Sequence, residues 1–197
     1  MMVLDLFSGL EGFSQAFKDR GHFVYTVDIN PKFKPNWCID INDIEIDKNA
    51  LGKFDIVLAS PPCEKFSIMA VGKNFNGLNK ETRKSIKLVF HTLDLIEDLN
   101  PKYWVLENPM GMLRKIIGKP DYEITQCQYG RKFMKPTDLW GVLPASFIPK
   151  RCKNGDSCHT PAPRGSRSGI QGSLSKEERS KIPYGLSLAI CESVENE

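Results

Sequence analysis

The feature that most constrains this 197-residue sequence is a repeated punctuation, in which short apolar runs each stop at a polar or proline-bearing cluster. The run from Phe54 to Ala59 stops at Ser60-Pro61-Pro62-Cys63, and Tyr103 to Leu106 runs into Glu107-Asn108-Pro109. Runs of this kind read as strands covered on both faces, the environment of a parallel sheet. Phe23 to Val27 stops likewise at Asp28, where Pro31 and Pro35 prevent a helix from following at once. Met2 to Phe7 leads through Ser8, Gly9 and Gly12 into a helix-like stretch from Phe13 to Arg20, and a shorter segment, Cys38 to Ile44, carries Asp40 and Asp43. From Glu81 to Leu99, Ile86, Val89, Leu93 and Ile96 recur at three- and four-residue steps, which marks an amphipathic helix closed by Asn100-Pro101. Strands alternating with helices predict an α/β fold with a mostly parallel, doubly wound sheet. Its ligands bind at the strands' carboxyl ends, the edge on which every cluster falls.

Beyond Asp121 the pattern changes. Tyr122 to Cys127 reads as a strand, Gly141 to Ser175 is rich in turn residues, and Ile182 to Val194 has the spacing of a closing helix, with Leu186, Ala189, Ile190 and Val194 on one side. The expected organisation is a sheet core over 1–140, a small loop-rich C-terminal insertion over 141–180, and a helix over 181–197 that packs back on the core. With 41% hydrophobic and 26% charged residues the composition fits one globular domain and excludes collagen, coiled coil and wholesale disorder. No apolar run approaches the roughly 18 to 20 residues of a membrane span, and the first residues lack the pattern of a signal peptide. A cytoplasmic protein with no membrane partner is therefore expected. Twenty-seven Lys and Arg against 24 Asp and Glu leave +3, concentrated between Lys150 and Arg179, so that stretch is the expected polyanion face.

The segment Asp5-Leu6-Phe7-Ser8-Gly9 through Gly12 and Phe13 has the logic of a ligand loop, since glycines let the backbone approach a bound group and the next helix offers unpaired N–H groups. Asp28 stands about 20 residues on, where a carboxylate accepts from ribose hydroxyls, and the non-standard glycine spacing argues against a dinucleotide. Cys63 is the most informative residue, because Pro61-Pro62 after a buried strand displays its thiol at the ligand edge. Nearby positive charge such as Lys65 favours the thiolate, and Glu107, desolvated at a strand end, suits a general acid.

Together these segments resemble the cytosine-5 DNA methyltransferases. The matching pieces, in the family's order, are Phe7-Ser8-Gly9 through Gly12 and Phe13, the acid Asp28, Asp40-Ile41, Pro62-Cys63 with Phe66-Ser67, and Glu107-Asn108-Pro109. They cover about the first 110 residues. Past them, Gln128-Tyr129-Gly130-Arg131 matches the family's arginine motif only in part, and Ile182-Pro183-Tyr184-Gly185-Leu186 lacks the asparagine usual in its last motif. Glu11 replaces a frequent glycine and Glu64 a frequent glutamine, and a carboxylate next to Cys63 opposes thiolate formation unless it points away. The resemblance implies a Rossmann-like class I methyltransferase fold that uses S-adenosylmethionine to methylate carbon 5 of cytosine in DNA. By the same resemblance Cys63, Glu107 and Arg131 are catalytic, and Asp5, Phe7, Ser8, Gly9, Gly12, Phe13, Asp28, Ile29, Asp40, Ile41 and Pro61 bind the cofactor. Family members also carry a large target-recognition domain, for which this chain has only the basic loop. Lys65, Arg151, Arg164 and Arg167 are the expected nucleic-acid contacts, RNA remains an open substrate, and a partner subunit is one source of the missing recognition. Two other readings stay open: an amino methyltransferase acting on an exocyclic nitrogen, which Ser60-Pro61-Pro62 also suits, and a non-catalytic nucleic-acid-binding derivative of the fold.

Six cysteines without an export signal read as thiols, ligands or catalytic groups before disulfides. Cys127, Cys152, Cys158 and His159 suffice in number for a zinc ion. Their spacing is unlike a paired-cysteine knuckle, and neighbours 158 and 159 reach one ion with difficulty, so unligated thiols are the expectation. The stretch from Arg164 to Gly169 offers glycines and arginines that suit phosphate.

Overall fold

A computed structural model describes residues 1–44, 53–66, 79–165 and 174–197. Ser67 and Arg167, singled out in the sequence, lie outside the described residues. In chain order the elements are β1 (Met2–Leu6), α1 (Gln15–Asp19), β2 (Phe23–Asp28), β3 (Trp37–Cys38), β4 (Ile56–Ala59), α2 (Lys80–Leu99), β5 (Tyr103–Pro109), β6 (Tyr122–Thr125), β7 (Pro136–Val142), α3 (Lys176–Ser180) and α4 (Tyr184–Glu195), with four short 3₁₀ turns between them. Among the described residues the strands form one sheet in the order β3-β2-β1-β4-β5-β7-β6. The first five are parallel, while β7 runs antiparallel to β5 and β6 antiparallel to β7. The mostly parallel, doubly wound sheet expected from the sequence is thus present, with an antiparallel edge. No helix among the described residues is long and apolar enough to cross a membrane.

Strand β4 shows why the sheet must be covered twice. All four of its side chains are buried, and because side chains alternate across a strand, Ile56 and Leu58 face one layer while Val57 and Ala59 face the other. The first layer is α1 and α4, through Ala16, Phe17, Leu186 and Ile190, with Phe13 just before α1. The second is α2, through Val89, Leu95 and Ile96, joined by Leu106 and Trp140. Helix α2 starts at Asn79, whose side chain accepts from the Thr82 N–H, and stops at Asn100 in the left-handed conformation. The order reverses at β1, which lies between β2 and β4, and a crevice opens at the carboxyl ends of those strands.

Four details differ from the sequence-based expectation. Of the stretch 38–44 only Cys38 is strand, as the end of Trp37–Cys38, and a 3₁₀ turn follows at Ile41–Asp43 that the Asp40 side chain caps. Helix α1 is shorter than Phe13–Arg20, since Phe13 and Ser14 belong to the ligand loop. Helix α3 lies within the segment expected to be loop, and its signal is the capping box formed by Ser175 and Glu178. Strand β7 is the largest departure, because Pro136, Asp138 and Gly141 each weigh against a strand. Tertiary contacts override that local preference. A Cβ at Gly141 would lie 2.1 Å from the Trp104 carbonyl oxygen of β5, so the close strand approach needs glycine. The buried Asp138 carboxylate accepts from Arg114 Nε at 2.5 Å and from its terminal nitrogen, and that guanidinium also pairs with Glu123 at 2.9 Å.

The pairing makes a stability prediction. Arg114→Ala leaves the Asp138 charge buried and alone, which lowers the unfolding free energy by about 3 kcal/mol in urea denaturation. The double variant Arg114→Ala/Asp138→Asn recovers most of the loss, because it removes the charge that lacked a partner.

Candidate active site

The crevice at the reversal point is a cleft of about 1030 Å³. That is at the upper end of the roughly 300–1,000 Å³ range for ligand sites, so it has room for a nucleoside cofactor and a second ring together. One half is built by β1, β2 and the loops that follow them. Phe7, Ser8, Gly9, Gly12 and Phe13 line it with Asp28, Ile29, Asp40, Ile41 and Pro61, ten of the eleven residues expected to hold the cofactor. The loop is held from several sides. Gly9 N–H donates to Asp28 Oδ2 at 2.9 Å, Ser8 N–H to the Val27 carbonyl at 3.0 Å, and Phe7 and Glu11 both sit in the left-handed backbone region. Gly12 passes so close to the backbone before α4 that a Cβ there would lie 2.4 Å from the Ile182 oxygen. Among the described residues the buried Ser8 hydroxyl has no hydrogen-bond partner within the chain.

Asp5 is the exception. It lies fully buried beneath the loop, where Ser14 Oγ donates to its Oδ2 at 2.5 Å, and it does not line the cleft. Burial, reinforced by Glu11 and Asp28 and opposed by that hydrogen bond and Lys18, pushes its pKa up to about 7. Its place is structural, under the loop rather than against a ligand.

The other half of the cleft is built where β4 and β5 end side by side. Cys63 follows Pro61-Pro62, and the Phe66 N–H closes a turn onto the Cys63 carbonyl at 3.0 Å. Glu107 lies on β5 with 4% of its surface exposed, and Asn108, fully buried, donates from Nδ2 to the Pro61 carbonyl at 3.0 Å. That bond ties the two strand ends, and with them the thiol and the carboxyl, into one wall. Burial pushes Glu107 up to about 7, with Lys135 opposing and Asp138 reinforcing. Among the described residues its buried Oε1 has no partner, as suits a group awaiting a ligand's polar atom. Burial, then the Glu107 charge, raises the Cys63 thiol above its ordinary range, while Lys135 pulls it down. Lys135 is partly buried and its pKa is lowered by desolvation, with Glu107 and Cys63 opposing the shift. Its Nζ donates to the Arg179 carbonyl at 2.8 Å. The three groups are one electrostatic set: a thiol, a carboxyl, and a cation whose charge favours the thiolate.

Lys135 was not legible in the sequence, because it enters the cleft at the start of β7, the strand that propensity disfavours. Arg131, the expected third catalytic residue, is committed elsewhere. Its guanidinium donates to the Glu178 carbonyl at 3.0 Å and to the Lys181 carbonyl, packs over Phe133, and does not line the cleft. It clamps the chain between α3 and α4, and Lys135 takes the cationic place near Cys63. Glu64, the carboxylate next to the thiol in sequence, pairs with Lys176, and Glu11 pairs with Lys18 at 2.7 Å. Of the expected nucleic-acid contacts, Lys65 pairs with Glu81 at 2.7 Å, Arg151 pairs with Glu123, and Arg164 is exposed. Cys127, Cys152, Cys158 and His159 meet in one cluster, and His159 also lines the cleft.

Comparison with known proteins places this geometry. The model of the C-5 cytosine-specific DNA methylases matches residues 1–124. A probable DNA (cytosine-5)-methyltransferase of frog virus 3 is 31% identical over 172 residues, which cover 80% of this chain and 78% of that protein. A type II methyltransferase of Haemophilus parahaemolyticus is 31% identical over 147 residues, covering 64% of this chain but only 37% of its own. In fold, the chain is similar to a putative DNA modification methyltransferase from an E. coli prophage, with a TM-score of 0.54 at 19% identity over 82% of this chain and 52% of that one. The cleft and the ordered motifs have one common explanation: the chain belongs to the family of C-5 cytosine-specific DNA methylases.

Proposed function

We propose that this chain transfers a methyl group from S-adenosylmethionine to carbon 5 of cytosine in DNA, with Cys63 as nucleophile and Glu107 as acid. The meeting of Cys63, Glu107 and Lys135 on one wall of a cleft whose other wall suits a nucleoside carries the reading. The family in general depends on S-adenosylmethionine, and the donor set fits it. Asp28 and Asp40 offer carboxylate oxygens for ribose hydroxyls and the adenine amino group, Ile29, Ile41 and Phe7 offer apolar faces, and the Ser8 hydroxyl is free to bond. When bound, the cofactor supplies an electrophilic methyl group on a sulfonium.

The chain's own residues do the rest. The Cys63 thiolate adds to carbon 6 of the cytosine ring, and Glu107, protonated, donates to ring nitrogen 3 and so draws the electron pair that would otherwise build charge there. Carbon 5 would then be nucleophilic enough to take the methyl group, the sulfonium being left as a neutral thioether. Loss of the carbon 5 proton to a base then re-forms the double bond as the carbon–sulfur bond breaks, and the thiolate is returned. Lys135 keeps the thiolate accessible while Glu107 holds its proton. A base in duplex DNA reaches so deep a wall only when turned out of the stack, at a cost of a few kcal/mol. The insertion 141–180, with the exposed Arg164, is the reduced face toward phosphates.

Cys63→Ala is expected to abolish methylation of carbon 5, and only the wild type is expected to form a covalent adduct with 5-fluorocytosine DNA, seen as a mass shift; methyl transfer by the alanine variant would sink the reading. The same assay on RNA, with the purified chain alone, reports substrate class and any need for a partner.

A second test follows the protons. The reactive form needs an ionised Cys63 and a protonated Glu107, yet Glu107 loses its proton first, near pH 7, and Cys63 later. The population of the reactive form is therefore flat between the two pKa values. It falls about tenfold per pH unit below about 7, because the thiolate is lost while the acid is already protonated. Above the Cys63 value it falls because the acid is lost. Glu107→Gln cannot ionise, so its kcat/KM rises with pH to the thiol's own pKa and shows no alkaline fall.

Cys63 alkylation by iodoacetamide, mapped by mass spectrometry at neutral pH, is expected to be faster in Glu107→Gln and slower in Lys135→Met. Equal rates in all three proteins would show that the groups are not coupled.

A further inference from the structure

The segment from Leu143 to Pro163 contains neither helix nor strand. It is nevertheless seated firmly against the turn Gln126–Tyr129 and its flanks. Thr125 N–H donates to the Lys150 carbonyl at 3.1 Å, Lys150 N–H to the Tyr129 hydroxyl at 3.0 Å, Cys152 N–H to Thr125 Oγ1 at 2.9 Å, and Thr160 N–H to the Lys132 carbonyl at 2.8 Å. Between these attachments four side chains from three points of the chain converge. Cys127 comes from the turn, Cys152 from the first limb of the loop, and Cys158 with His159 from its return. Cys127, Cys152 and His159 are buried and Cys158 nearly so, and their ligand atoms all lie within 4.8 Å of one another.

The spacing of those atoms has a particular shape. Cys158 Sγ lies 3.7 Å from Cys127 Sγ, and His159 Nδ1 lies 3.6 Å from Cys152 Sγ and 3.5 Å from Cys158 Sγ. A tetrahedral zinc ion with metal–sulfur bonds of about 2.3 Å and metal–nitrogen bonds of about 2.0 Å has edges of about 3.8 Å between sulfurs and about 3.5 Å from sulfur to nitrogen. The fourth edge, Cys127 Sγ to Cys152 Sγ, is 3.1 Å, shorter than the sulfur–sulfur edge around zinc but much longer than a disulfide of about 2.05 Å. The expected difficulty for neighbours 158 and 159 in reaching one ion disappears in the fold. The imidazole turns its near nitrogen, Nδ1, inward, and this nitrogen and the adjacent thiol stand one tetrahedral edge apart.

We propose that Cys127, Cys152, Cys158 and His159 bind one zinc ion. With four protein ligands the site is closed, so the ion is structural rather than catalytic. It cross-links three points of a segment too short to own an apolar core, much as metals replace a core in other small modules. Because Asn154, His159, Thr160 and Ala162 also line the cleft, the ion fixes the rim that faces the reactive wall. The site is independent of the proposed reaction, since it would order the insertion whether or not the cleft methylates cytosine.

Metal analysis of the purified full chain is expected to find about one zinc per chain, and Cys152→Ser less than about a tenth of that, while Cys38→Ser, an exposed cysteine outside the cluster, keeps it. Should the serine variant fail to fold, the wild type still decides. Three thiols should be shielded from a thiol reagent until a strong chelator is added, and Co²⁺ loaded in place of zinc should give the thiolate charge-transfer absorption of a tetrahedral site. A protein that purifies without zinc, takes up neither Zn²⁺ nor Co²⁺ and leaves its thiols equally reactive with and without chelator would overturn the proposal, as would a Cys127–Cys152 disulfide found by peptide mapping.

Discussion

The side-chain amide of Asn108, buried completely and bonded to the Pro61 carbonyl, fixes the relation on which the reactive half of the cleft depends. Strands β4 and β5 are parallel neighbours with Ala59 opposite Leu106, so the residues that follow leave the sheet side by side. Without a link, the Pro-Pro-Cys loop and the Glu-Asn-Pro strand end would be free to splay. With it, the thiol and the carboxyl share one desolvated wall, and burial becomes the leading influence on both. The same desolvation that keeps Glu107 protonated to about pH 7 opposes ionisation of Cys63, and the partly buried Lys135 offsets the second effect. A thiol and a carboxyl that share one wall would each disturb the other's protonation state without the cation that Lys135 supplies at the start of β7.

On the cofactor side the support comes from the far end of the chain. Ser187 on α4 donates to the Phe13 carbonyl at 2.6 Å and accepts from the Ala16 N–H at 3.1 Å, which anchors the end of the ligand loop and the start of α1. Gly12 allows the backbone before α4 to lie directly against that loop. Arg131 then fastens the carbonyls of Glu178 and Lys181, so the path from α3 into α4 is clamped from the sheet's side. The first loop of the sequence is thus shaped by its last helix. A single arginine that motif matching assigns to chemistry holds that connection.

Much of the fold and of the cofactor half was legible because local physics and tertiary structure agree there. Runs such as Ile56–Ala59 have no polar face to turn toward water, so they must lie inside a sheet, and proline or glycine must end them. The clusters at Gly9, Asp28, Asp40, Cys63 and Glu107 were therefore bound to share an edge. Strand β7 was not legible, because its Pro136, Asp138 and Gly141 are tolerated only through partners distant in sequence: the Arg114 fork for the acid and the Trp104 backbone for the glycine. Lys135 was lost with it. Asp5 was misassigned for a related reason, since a residue next to a ligand loop and one beneath it look alike in one dimension.

The cysteine and histidine cluster marks the same boundary from the other side. Spacing along the chain argued against a common ion, yet a loop pinned by hydrogen bonds to the Thr125 and Lys132 backbone and the Tyr129 hydroxyl returns on itself and brings 127, 152, 158 and 159 together. By itself the sequence determined the doubly wound sheet and the edge on which the polar clusters, the Cys63 thiol and the Glu107 carboxyl gather, because these follow from periodicity, chain stiffness and burial of short segments. Only the tertiary structure decided which cation serves the thiol, which acid supports rather than binds, and whether four scattered ligands meet. Those outcomes depend on contacts between segments separated by tens of residues, where no local preference reaches.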